Sequence, residues 1–162
     1  MKIFRRALLL IVLFPLIIKA DELVAVDIKR LSFESTVKIV QSAIAACRKQ
    51  TIQIAVVVID RGGNIQLAAR DTLAVDLTLR IAEQKAYTAL SFNSSTSILA
   101  TRTNSRLNSL DGLLMLGGGL PIEVGGVIYG AIGVSGAPSP DVDEKCATAG
   151  LNAIIEDLEM SQ

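Results

Sequence analysis

Hydrophobic and polar positions along this chain change period several times, and each change marks an element. Residues 1–20, MKIFRRALLLIVLFPLIIKA, open with Lys2, Arg5 and Arg6, continue as an apolar run from Ala7 to Ile18 and finish at Ala20. A basic start, a short apolar run and a small final residue are the layout of a secretory signal peptide, and the run is short for a membrane span. Residues 21–30 form a charged approach without strong periodicity, read as an N-terminal arm. From Leu31-Ser32, with Ser32 placed to cap, Val37, Val40, Ile44 and Cys47 recur at three- and four-residue spacing. That spacing predicts an amphipathic helix.

Gln53 to Asp60 is almost wholly apolar and rich in β-branched residues, as expected of a strand covered on both faces. Arg61-Gly62-Gly63-Asn64 supplies turn chemistry and Ile65 to Arg70 resumes as a strand, so the pair predicts a hairpin. Helical spacing returns over Ala74 to Phe92, with Leu77, Ile81, Lys85-Ala86 and Ala89-Leu90 in step. Lys85 falls beside this apolar stripe, where it either snorkels or turns its cation toward a pocket. Residues 93–111 are polar and carry Arg102 and Arg106, which predicts a broken-helix cover.

Leu113 to Ala137 then interleaves eight glycines and one proline with short apolar runs. Gly125-Gly126 has the character of a two-residue hairpin loop, and Gly117-Gly118-Gly119 that of a bend with available amides. The stretch reads as a glycine-lined sheet edge shaped to hold a small molecule; the alternative is a tight meander that only needs glycines to turn. Asp141, with Glu144 three residues on, predicts a capping box for a last helix over residues 142–160 that turns Cys146, Ala149, Ala153 and Leu158 inward.

Composition narrows the chemistry. With 162 residues the chain is one domain long, and it contains no histidine. Ser-His-Asp and Cys-His catalysis, histidine-held zinc and a histidine axial ligand to haem are therefore excluded. Paired carboxylates at Asp141/Asp143/Glu144 and Glu156/Asp157/Glu159 sit at helix ends, where solvated charge is the ordinary explanation. Removing residues 1–20 takes away Lys2, Arg5, Arg6 and Lys19 and no acid, so the formal charge moves from zero to minus four. With no basic patch interleaved with aromatics, a nucleic-acid partner is set aside. Nor does the glycine-rich stretch match a phosphate-binding loop. Cys47 and Cys146 can pair in an oxidising compartment; otherwise they are two small buried hydrophobes that never meet.

Several segments together carry a likeness: Ala55 to Gly63, Arg70-Asp71, Lys85-Ala-Tyr-Thr88-Ala, Gly118-Gly-Leu-Pro-Ile122, Gly130 to Gly136, and Asp143-Glu-Lys-Cys146-Ala. In this order they resemble the GlcG/HbpS family over about residues 31–160. The resemblance implies an α/β (α+β) single domain with a central, antiparallel, five-stranded sheet flanked by helices, profilin-like in architecture, that assembles into homo-oligomers. It also implies haem or a related anionic tetrapyrrole bound near the Lys85 helix and the glycine hairpin. Arg70, Lys85, Thr88, Gly118, Gly119 and Pro121 fall on the family's motif positions. Where the family often has Arg-Met-Asp-Gly-Ala, this chain has Arg70-Asp-Thr-Leu-Ala74, which alters the expected pocket wall.

Without histidine, iron contacts would fall to Thr88 or Tyr87 through oxygen, or to Met115 or Met160 through sulfur, with propionates paired to Lys85, Arg70, Arg102 or Arg106. The resulting expectation is a periplasmic or secreted small-molecule-binding protein, with the membrane as partner only if the leader stays attached. Two alternatives stand beside it. One is an enzyme acting on a small organic acid with Lys85 as key cation; the other is an accessory oligomer without ligand.

Overall fold

The computed structural model describes residues 24–102 and 107–161. The leader, the first residues of the arm and Arg106 lie outside them. Helix α1 (Phe33–Arg48) leads to strands β1 (Ala55–Asp60) and β2 (Ile65–Arg70), then to helices α2 (Leu77–Phe92) and α3 (Thr96–Thr101). After a short 3₁₀ turn come β3 (Gly119–Val124), β4 (Val127–Ser135), α4 (Pro140–Asn152) and α5 (Ile155–Glu159). Among the described residues no helix is long and apolar enough to cross a membrane.

The strands form one antiparallel sheet of order β2-β1-β4-β3. The α+β class is as the resemblance implied, but the described residues supply four strands where five were expected. The apolar run Leu113 to Leu116 adds none, because side chains claim its backbone. Thr88 Oγ1 accepts from the Leu114 amide at 2.8 Å, and Thr96 Oγ1 donates to the Leu116 carbonyl at 2.7 Å.

Each sheet face has its own cover. On one face Val57, Ile59 and Ala131 meet Ala82, Ala86, Ala89 and Leu90 of α2. A Cβ at Gly133 would stand 1.9 Å from the Ala82 carbonyl oxygen, so helix and strand backbones approach to a distance only glycine permits. On the other face Val56, Val58, Ile132 and Val134 pack with Ile39, Val40, Ala43 and Cys47 of α1 and Cys146 and Ala147 of α4. Cys47 and Cys146 are joined in a disulfide that ties α1 to α4.

The helices depart from the spacing in instructive ways. In α1 the fully buried positions are Thr36, Ile39, Val40, Ala43 and Cys47, while Val37 and Ile44 are only half-buried. In α2 Leu77 is exposed and the buried face is Thr78, Ala82, Lys85, Ala86, Thr88, Ala89 and Leu90. Close backbone packing against Gly133 selects small residues over large ones there. The last helix begins two residues earlier than expected, with Pro140 after Ser139, and breaks before α5. No capping box forms: Asp141 is exposed, and Glu144 instead accepts from the Gly118 amide at 3.3 Å and from Ser97 Oγ at 2.8 Å.

Asp71, at the end of β2, pairs with Arg48 and not with its neighbour Arg70. Two guanidinium bonds of 2.7 Å join it to Arg48, and the Thr72 amide adds a third at 2.8 Å. These bonds, the Arg48 bonds foremost, hold the Asp71 carboxyl below its ordinary range against the opposing effect of burial. A depressed acid stabilises the fold above its unfolded pKa of about 3.9, and that contribution is lost as pH falls through the lower, folded value. Asp71→Asn is expected to lower stability at pH 7 and to flatten the acid limb of a urea-denaturation series taken below pH 5; an unchanged limb would exclude this pairing as its source.

The disulfide closes a loop spanning 99 positions, for which chain entropy gives about 4–5 kcal/mol. Reduction, or Cys47→Ala with Cys146→Ala, is expected to lower the free energy of unfolding by about 2–5 kcal/mol in urea titrations. Identical midpoints with and without reductant would show that α1 and α4 need no cross-link.

Candidate functional site

Lys85 is the largest side chain wholly enclosed by the fold, with 1% of its surface exposed. It enters the interior because α2 presents its small face to β4, leaving the long stem no route to solvent. An ammonium so placed requires compensation. Its Nζ donates to the Asp143 carboxylate at 2.7 Å and to the Val134 carbonyl at 3.0 Å. Asp143 Oδ1 also accepts from the Ala137 amide at 2.9 Å. Burial raises the Asp143 pKa, while Lys85 and the Ala137 amide pull it down.

Gly118 and Gly119 close around this pair. A Cβ at Gly118 would lie 2.7 Å from the Val134 carbonyl oxygen, 2.8 Å from Asp143 Cβ and 3.0 Å from Lys85 Nζ. At Gly119 it would lie 2.3 Å from the Lys85 carbonyl oxygen. The space that missing side chains leave is thus filled by the protein itself. Thr96 Oγ1 receives the Gly119 amide at 2.8 Å, and the Gly118 carbonyl accepts from the Val134 amide at 2.9 Å.

The structure therefore brings Lys85, Gly118 and Gly119 together and adds Asp143, which the sequence placed among solvated helix-end acids. The correction has a physical cause. Asp143 is in the first turn of α4, where Pro140 starts the helix directly above the end of β4, and that end is where the Lys85 stem emerges. A lysine on a buried stripe was itself the signal that an acid must join it. With its ammonium enclosed and paired, Lys85 is shielded from any substrate in solution.

The other expected residues lie elsewhere. Arg70 ends β2, the opposite edge strand from Gly119 and Pro121, and its guanidinium donates to the Ala74 carbonyl. Pro121 is half-buried in β3 opposite Ala131. Its missing amide suits an edge strand. Thr88 is buried, with Oγ1 donating to the Gln84 carbonyl at 2.7 Å while accepting from Leu114. Tyr87 is 46% exposed and lines a groove of about 310 Å³ with Ile59, Gly63, Glu83, Gln84 and Asp111. Arg102 follows α3 on the surface, Met115 is half-buried and Met160 is exposed. Among the described residues no three His, Cys, Asp or Glu side chains gather as a metal site.

A second groove, of about 580 Å³, was not anticipated. It lies between the arm and the β3–β4 hairpin, lined by Val26, Ile28, Val127 and Ile128 with Asp27, Lys29 and Arg61 at its polar positions. Val24, Val26 and Ile28 alternate along the arm and are all strongly exposed, so one apolar face of the arm is uncovered. Among the described residues neither Lys29 nor Arg61 joins an ion pair, whereas Arg30 reaches Asp60 at 3.3 Å. The signal was present in the sequence as that alternation, which a charged composition hid.

Comparison with known proteins places these features in a lineage. A family model described as "Haem degrading protein HbpS-like" matches residues 31–152. The solved structure of HbpS is 35% identical with a TM-score of 0.78, over 85% of this chain and 99% of that one. A double mutant of Streptomyces reticuli HbpS is 34% identical with a TM-score of 0.77, covering 85% and 95%. An uncharacterized 15.0 kDa protein of Citrobacter freundii is 27% identical over 137 residues, 80% of this chain and 96% of its own. A PduOC:heme complex shares the fold at 23% identity and a TM-score of 0.73, over 77% and 95%.

The enclosed pair generates a stability test. Lys85→Met strands the Asp143 charge and is expected to cost about 3–5 kcal/mol in urea unfolding, while Lys85→Met with Asp143→Leu regains most of that loss. A cost below about 1 kcal/mol for Lys85→Met, as at a surface pair, would show that the ammonium is not enclosed.

Proposed function

This chain belongs to the HbpS-like family, and from that premise we propose that it is an exported protein that binds haem or a related anionic tetrapyrrole in the groove between the arm and the β3–β4 hairpin. The observation that carries this reading is the lining of that groove: apolar walls for a flat macrocycle and two cations free to meet its carboxylates. Val26, Ile28, Val127 and Ile128 would cover the ring, while Lys29 and Arg61 would take the propionates. The volume of about 580 Å³ falls in the ordinary range for small-molecule sites.

Export is supported by the leader pattern of residues 1–20 and by the disulfide, which persists in oxidising compartments. Assembly into a homo-oligomer is supported by the exposed Leu73, Val75 and Leu77 in the segment that leads into α2. Lys85 takes no part in ligand chemistry here; its role is to hold the glycine loop.

Haem titrated into the purified protein is expected to give a saturable Soret change. Lys29→Glu with Arg61→Glu should weaken binding by about tenfold or more, the loss of charge-assisted contacts worth roughly 1.5–3 kcal/mol each. Unsaturable binding, or equal affinity in the double variant, would reject the groove.

A further inference from the structure

Haem iron in proteins is held by histidine, cysteine, methionine or tyrosine. The ring and carboxylates of haem fit the arm–hairpin groove, but its iron does not, because among the described residues the lining contains none of these side chains. The chain has no histidine, and its two cysteines are buried and joined to each other. Tyr129 shares with Val127 the face of β4 that packs in the α1–α4 core, but it is buried there and is not among the groove's lining residues, and Ile128 faces α2. Tyr87 lines the separate groove on α2. Of the methionines, Met160 is exposed beyond α5, Met115 is in the loop before β3, and Met1 lies outside the described residues. Asp27 is the one carboxylate in the lining. Its carboxylate is not among those usual ligands, and its charge repels propionates.

We infer that this protein recognises its tetrapyrrole by ring and carboxylates alone, so that it takes the iron-free macrocycle as readily as haem. The inference rests on the groove assignment above and specifies its ligand class: a planar apolar macrocycle bearing two carboxylates, with or without a metal. Affinity then comes from apolar area against Val26, Ile28, Val127 and Ile128 and from Lys29 and Arg61, none of which senses the metal.

The test is a parallel titration of the purified protein with protoporphyrin IX, read by its fluorescence, and with haem, read by its Soret band. Dissociation constants within about threefold of each other, both weakened about equally by Lys29→Glu with Arg61→Glu, are expected. The bound ferric haem should show a high-spin electron paramagnetic resonance signal and accept added imidazole, and Tyr87→Phe should leave spectrum and affinity unchanged. Protoporphyrin bound more than about 30-fold weaker than haem, or a low-spin signal before imidazole is added, would overturn the inference, and the groove assignment then stands if Lys29→Glu with Arg61→Glu still weakens haem binding and falls if it does not. If neither ligand binds and Val26→Ser with Ile28→Ser instead dissolves an oligomer seen by native mass spectrometry, a second copy of the chain covers the groove, and both proposals fall together.

Discussion

One buried ion pair organises the end of the sheet where the chain is most crowded. Lys85 comes from the helix on one face and Asp143 from a helix on the other, and they meet at 2.7 Å across the end of β4. Neither charge could stay inside alone, since an isolated ion in a low-dielectric interior carries a penalty far above the stability of a domain. The two helices are thereby held in one relation to each other. Gly118 and Gly119 are glycines because the pair and its neighbours already occupy the volume a side chain would need.

This arrangement separates two features that often coincide in small-molecule sites. Glycine-rich backbone beside a cation is the usual form of an anion cradle. Here the same ingredients are turned inward and neutralised by a carboxylate from the protein itself. What remains open lies away from them, where the arm crosses the β3–β4 hairpin and leaves apolar side chains and two cations uncovered.

Much of the fold could be read from residue patterns. Ser32 caps α1, accepting the Ser35 amide at 3.1 Å, and Gly125-Gly126 turns β3 into β4 with φ of 58° and 80°. The β1–β2 hairpin also falls where its turn chemistry put it. The proximity of Lys85 to Gly118 and Gly119 and the option of a Cys47–Cys146 pairing were also within reach. The partner of Lys85 and the buried face of α2 escaped, because contacts between distant segments decide them. Asp143 looks like a solvated helix-start acid until Lys85, 58 positions earlier, is placed beside it. Periodicity in α2 pointed to Leu77 and Ile81, but tight packing on Gly133 favours alanines. The open groove escaped for a similar reason, since its two walls are separated in sequence by nearly the whole domain.

The Cys47–Cys146 bond has a bearing on the order in which the molecule is completed. Its halves sit close to opposite ends of the domain, so an emerging polypeptide offers the first thiol long before the second exists. Throughout that interval Cys47 has no native mate, and the covalent stitch can be made only after the first half of α4 is delivered. Oxidation accordingly belongs to the late part of biogenesis and cannot guide the steps that precede the arrival of Cys146.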